Sequence, residues 1–273
     1  MASWSVVRQD RQLLILPIVS FVCSVIVIAV FAAGTWGIGL PEGDRLEPVH
    51  YVILFLLYVT LAFVTIFFNA AVIGTATERL KGREATIADG LRLAREHLGA
   101  IFLWAVVTAT VGIVLRTLAE RFGFVGRIVI SLVGAAWNVV TFFVVPVLLY
   151  EPVGVGEGIK RSASLFRQRW GEQFVGNGAI GIVVFVAALA VGAFAFVLGT
   201  IAVPLGIAVG VLGIGALMAI GAACSGVFNA ALYRYATTGE ASGAFSIEDL
   251  SSSFRPKGRR GIFGSSTPTR PDL

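Results

Sequence analysis

A hydroxyl followed three residues later by a carboxylate occurs twice: Thr86 with Asp89 in "TIAD", and Ser246 with Asp249 in "SIED". Paired groups of this kind could serve acid–base chemistry. The spacing, however, is that of a capping box, in which the hydroxyl accepts from an exposed backbone N–H and the carboxylate satisfies another at the positive end of a helix. Other reactive types are sparse. His50 and His97 are the two histidines, in separate predicted loops on opposite membrane faces, so no Ser-His-Asp or Cys-His set assembles. Cys23 and Cys224 sit inside apolar runs, where small packing residues are expected rather than a disulfide. No spacing suits a structural metal. "GNGAIG" at 176–181 matches the dinucleotide fingerprint in letters only, since it opens an apolar run with no aqueous βαβ unit around it. The reading is therefore of no catalytic, cofactor or metal site, and of a protein that is not an enzyme.

The elements that carry these residues are apolar. Hydrophobic types make up 57% of the 273 residues and charged types 14%, against about 25% charged in an average soluble domain. Too little charge is present to cover a particle in water, so lipid must form part of the solvent. Uncharged runs occur at 12–41, 48–77, 97–115, 128–150 and 173–233; a crossing helix needs about 20 mainly apolar residues. The last run holds two spans, with "LGTIAVPLG" as the turn and Gly199 and Pro204 as breakers. The first run is too long for a cleaved signal core and reads as a retained span. Six spans place both termini in the cytoplasm. Only Arg45, Arg116, Arg121 and Arg127 of the 21 Lys and Arg then fall outside, in keeping with the inside-positive bias. The net charge of +5 thus reflects topology and not nucleic acid. A disordered basic tail is expected over 239–273.

"FNAA" ends an apolar run at Phe68 and again at Phe228, and the ungapped alignment from these points keeps eight identities in 24 positions. "IADGLR" from Ile87 also matches "VGEGIK" from Val155. Fixed-offset similarity marks repeated units. The fold class is therefore all-α: a polytopic membrane helical bundle over 1–238, built as three amphipathic-helix-plus-hairpin repeats at about 1–78, 86–152 and 154–237. Ile87, Leu91, Ala94 and Leu98 form one stripe, with Arg92 and Arg95 elsewhere; Ile159, Ala163, Phe166 and Trp170 form another, against Lys160, Arg161, Arg167 and Arg169. Helices of this pattern lie in the headgroup plane and attract anionic lipid, with Trp170 suited to the boundary. Asn69 and Asn229 lie late in their spans, where a carboxamide is expected to hydrogen-bond between helices. Gly206 and Gly210 form a small-residue pair, and close packing of the last span in the bundle centre is expected.

"SWSVVRQDRQLLILP" at the start, "FNAA" after the second span and "RSASLFRQRWGEQF" before the fifth resemble a family of six-span actinobacterial membrane proteins known only as a domain of unknown function. The hairpin-plus-cytoplasmic-helix plan is similar, more distantly, to the membrane domain attached to some bacterial glycerophosphodiester phosphodiesterases. The resemblance covers about 1–240 and implies no catalytic residue. Together these readings lead to a non-enzymatic protein of the bacterial cytoplasmic membrane that binds anionic lipid headgroups or a membrane-protein partner, itself included. The alternative is a permease for a neutral or lipophilic small molecule.

Overall fold

Long apolar runs leave backbone N–H and C=O groups no water to bond, so such a chain must satisfy them internally as helix. The computed structural model describes residues 11–38, 48–170 and 179–239, and its regular structure is all helical. A short 3-10 turn, Arg11–Leu14, leads into α1 (Ile15–Ile38). There follow α2 (Pro48–Leu80), α3 (Ile87–Glu96), α4 (Leu98–Arg121), α5 (Phe124–Val140), α6 (Val144–Tyr150), α7 (Val155–Trp170), α8 (Ala179–Ile201) and α9 (Val203–Thr238). Gly239, left-handed at φ 76°, stops α9 by donating to Tyr235 O at 2.9 Å.

Among the described residues, five helices are long and apolar enough to cross a membrane: Ile15–Trp36, Pro48–Leu80, Leu98–Arg121, Gly126–Tyr150 and Val203–Thr238. The expected fifth of six spans corresponds to α8, whose described apolar part is the shorter Val186–Thr200. Along most of their length these helices expose apolar side chains, as at Val30, Leu132, Phe196 and Leu212. The buried core lies instead at one end. It joins Leu13 and Leu16, residues 70–76 of α2, Ala94 of α3, Ile101 and Trp104 of α4, α6, Leu165 and Phe166 of α7, and the last third of α9.

Three expectations are adjusted by the backbone. The run 128–150 is not one straight helix: it breaks at Thr141–Phe143, between α5 and α6. Pro146 explains the break, because it lacks the N–H that would bond the carbonyl four residues earlier. The turn in the long final run falls at Ala202, leaving Gly199 inside α8 and Pro204 in the first turn of α9, where a missing N–H costs nothing. Gly199 and Gly206 instead let the two backbones touch: a Cβ on Gly206 would lie 2.6 Å from Gly199 Cα. Finally, α9 is central only in its second half; Val203, Leu205, Ile207 and Leu212 are all at least half exposed. The expected tail beyond Gly239, its "SIED" pair and residues 1–10 lie outside the described residues.

Candidate functional site

At the cored end the loop between α2 and α3 is held by side-chain hydrogen bonds. Thr86 caps α3: Asp89 N donates to Thr86 Oγ1 at 3.3 Å, and Thr86 N donates to Asp89 Oδ2 at 2.9 Å. The Thr86 backbone N–H and then its hydroxyl hold the Asp89 carboxyl below the usual carboxylate range. Asp89 is thus occupied as a helix cap. Its other oxygen accepts from Arg92 at 2.9 Å. The connecting loop is tied down by Arg79 Nε, which donates to Ala85 O at 2.8 Å, and by Arg234, which donates to Leu80 O.

α3 buries Gly90 and Ala94 against α2. Gly90 is there because the backbones meet: a Cβ would collide with Thr75 Oγ1 and with the carbonyl oxygen of Ala71. Gly158 of α7, which the 68-residue offset pairs with Gly90, likewise faces Leu148, with a Cβ 3.2 Å from Leu148 Cδ2. The expected stripe on α3 ends at Ala94, since the chain turns at His97 and Leu98 begins α4 largely exposed. In α7 the buried positions are Val155, Gly158, Ser162, Leu165 and Phe166, a face rotated from the expected one.

Ser162 accounts for that rotation. The break at 141–143 strands a donor and an acceptor, and this one fully buried hydroxyl takes both. Phe143 N donates to Ser162 Oγ at 3.0 Å, and Ser162 Oγ donates to Val140 O at 2.6 Å. Asn229 completes the repair from α9: its Nδ2 donates at 2.9 Å to Phe142 O, the carbonyl that Pro146 deprives of a partner. Asn229 therefore forms an interhelical bond, while its Oδ1 stays buried without one. Ser162 is the residue that pattern reading missed. It sits in "RSASLF", and its only sequence signal is a small polar group on an apolar face.

The cationic candidates divide. Arg161 Nε lies 2.9 Å from Glu151 Oε2, whose partner oxygen accepts from Tyr233 Oη at 3.2 Å, so Arg161 braces α7 against α6 and α9. Arg92 is paired with Asp89. Arg95, Lys160 and Arg167 are exposed and make no ion pair among the described residues. The side chains of Arg169 and Trp170 lie outside the described residues.

Beside the core is a cavity of about 560 Å³ between α1, α2 and α9. Its polar lining is Ser20, Ser24, Thr65, Asn69 and Ser225; Val25, Ile28, Leu61 and Met218 line its apolar part. Among the described residues no Asp, Glu, Lys, Arg or His lines it. Asn69, the match of Asn229 in the recurring "FNAA", lines this cavity and makes no side-chain hydrogen bond among the described residues. Among the described residues no group of three His, Cys, Asp or Glu side chains is placed to hold a metal.

Fold and site together define an all-helical protein with the long apolar helices of a multi-pass membrane protein. The chain belongs to the family of unknown function DUF6159, which matches residues 48–244. No curated protein and no solved structure matches it.

Proposed function

We propose that this is a non-enzymatic protein of the bacterial cytoplasmic membrane that binds lipid at its cytoplasmic end. It crosses the bilayer six times, α8 included, as three repeats of an amphipathic helix and a hairpin, with both termini inside. The observation that carries the reading is the single cored end. α3 and α7 both pack there through small or apolar residues, and both leave cations at the surface, Arg95, Lys160 and Arg167, that no described acidic residue pairs. Cations held beside the ends of membrane helices draw anionic headgroups, each contributing about 1 kcal/mol near the surface. The non-enzymatic part rests on the polar groups themselves: the hydroxyls and carboxamides near the core close a helix break or face an uncharged cavity, and the carboxylate of Asp89 caps a helix.

The test is lipid retention in native mass spectrometry from discs of mixed phosphatidylglycerol and phosphatidylcholine. The wild-type protein should retain phosphatidylglycerol preferentially, and the triple variant Arg95→Glu, Lys160→Glu, Arg167→Glu should lose that preference. An unchanged preference would overturn the reading.

A permease for a neutral or lipophilic molecule is the second reading. Two features favour it: the cavity, and the discontinuous α5–α6 helix, since broken helices line the substrate sites of many transporters. Uptake of such a molecule into proteoliposomes, absent from protein-free ones, is its test. The distant likeness to the phosphodiesterase membrane domain bears on the helical plan alone. A membrane-protein partner or a homo-oligomer remains part of the proposal, testable by cross-linking in native membranes.

A further inference from the structure

We infer that the cavity between α1, α2 and α9 is a binding site for one uncharged amphiphile, an acyl-chain molecule whose hydroxyl, ester or amide head lies against Asn69. This goes beyond surface attraction of anionic lipid and does not depend on the cations of α3 and α7.

The cavity has a polarity gradient along all three helices. On α2, Asn69 adjoins the core, Thr65 lies one turn away and Leu61 two turns away. On α9, Ser225 adjoins the core and Met218 lies about two turns off. On α1, Ser20 and Ser24 come soon after buried Leu16, and Val25 and Ile28 follow. Polar groups therefore lie in the half of the cavity nearer the core, interleaved with Pro17, Phe21, Phe68 and Val72, and the other half is hydrocarbon alone. That is the complement of a molecule with a small polar head and an apolar tail.

The head is uncharged because, among the described residues, nothing in the lining can pair with a charge. A phosphate or carboxylate there would lose water and gain no counter-charge, which strongly disfavours it. Hydrogen bonding is on offer instead. Ser24 is spent on Ser20 O, at 2.8 Å, but the side chains of Ser20, Thr65, Asn69 and Ser225 have no hydrogen-bond partner among the described residues. A carboxamide brings two donors and an acceptor, so it suits a hydroxyl or ester.

The volume of about 560 Å³ lies within the range of roughly 300–1,000 Å³ usual for small-molecule sites. The cavity is open along its side: Val25, Ile28 and Met218 are 45%, 50% and 59% exposed. An occupant can enter from the bilayer without unfolding any element. Its walls are shaped by glycine. A Cβ on Gly215 would lie 2.8 Å from the Phe21 ring, so glycine lets that ring lie against α9; a Cβ on Gly226 would lie 3.4 Å from Asn69 Oδ1.

The experiment is competition in discs between dioleoylglycerol, which has an uncharged hydroxyl and ester head, and dioleoylphosphatidylglycerol, with the same chains and a phosphate. A photoactivatable dioleoylglycerol analogue reads the position. One molecule should cross-link per protein, on α1, α2 or α9, and excess phosphatidylglycerol should not displace it. Asn69→Leu should weaken binding about tenfold, the size of one lost hydrogen bond in a membrane. Thr65→Val, a smaller change, should weaken it several-fold, and Ala222→Phe should block the site by volume. Leu212→Ala, on an exposed face 70% accessible, should leave binding unchanged. Equal displacement by phosphatidylglycerol would overturn the uncharged head. Unaltered binding in both Asn69→Leu and Ala222→Phe, labelling elsewhere, or a second copy cross-linked through the cavity would overturn the site.

Discussion

Removing Asn229 with and without Pro146 tests whether a single carbonyl links α6 to α9. Pro146 offers no N–H, so Phe142 O has no donor four residues on, and Asn229 Nδ2 supplies one at 2.9 Å. A hydrogen bond between membrane helices contributes about 0.6–2 kcal/mol, and a buried acceptor left with no donor costs roughly 1–3 kcal/mol. Asn229 Oδ1 is itself buried without a partner, so deleting the whole carboxamide recovers part of that cost. Asn229→Leu should therefore destabilise the protein by about 1–2 kcal/mol. In a Pro146→Ala background the new N–H can take Phe142 O, and the same substitution should then cost about 0–0.5 kcal/mol. The coupling energy is near 1 kcal/mol. Reversible unfolding of all four proteins in mixed micelles can be followed by tryptophan fluorescence, since Trp104 and Trp137 stack at 6.1 Å close to the break. Additive effects, within roughly 0.3–0.5 kcal/mol, would refute the argument that proline and asparagine answer to the same carbonyl.

Ser162→Ala should leave both Phe143 N and Val140 O unmet, costing about 2 kcal/mol or more; hydrogen exchange at the Phe143 amide should rise sharply, and unchanged exchange would contradict the assignment. Gly90→Ala drives a methyl into the backbone of α2 and should destabilise by about 1–3 kcal/mol. Its control is Gly156→Ala in α7, where a Cβ meets nothing within 4 Å and the unfolding midpoint should hold or rise. The Asp89 carboxyl is held below its ordinary value, so its cap contributes above the unfolded value of about 3.9 and is lost as pH falls through the lower folded value. Proteolysis of the loop before α3 should accordingly increase below about pH 4, and Asp89→Asn should show high cleavage already at neutral pH.

What the sequence made legible is local. Thr86 and Asp89 cap a helix because a capping box involves four consecutive residues and nothing else, and the apolar runs are helices because each spans enough uncharged chain to require it. What stayed hidden depends on groups brought from far away. Pro146 announces a weak point in 128–150, but the helix breaks at 141–143 in the form seen because Ser162 and Asn229 arrive from α7 and α9 to meet the stranded groups. A serine among apolar neighbours carries no hint of that in its own spacing. The rotated face of α7 follows from the same cause: a helix turns its hydroxyl inward when an unpaired N–H and C=O are waiting there. Arg161, grouped by pattern with the lipid-facing cations, is drawn to Glu151, which lies ten residues earlier at the end of α6.

The two copies of Phe-Asn-Ala-Ala show how one local motif acquires two uses. Asn229 faces a helix interrupted by proline, and an interrupted helix has a carbonyl to offer. Asn69 faces α9 near Gly226, and α9 runs unbroken from Val203 to Thr238 with its backbone groups paired along its own axis. No interrupted stretch of backbone on that neighbour asks for a donor. A carboxamide in such a place keeps its donors and acceptor for something outside the chain, and the surrounding hydroxyls, the absence of charge among the described lining residues and the open side of the cavity set the kind of molecule that can engage it. The sequence repeats the residue, while the neighbour decides whether it closes a gap in the fold or leaves one for a ligand.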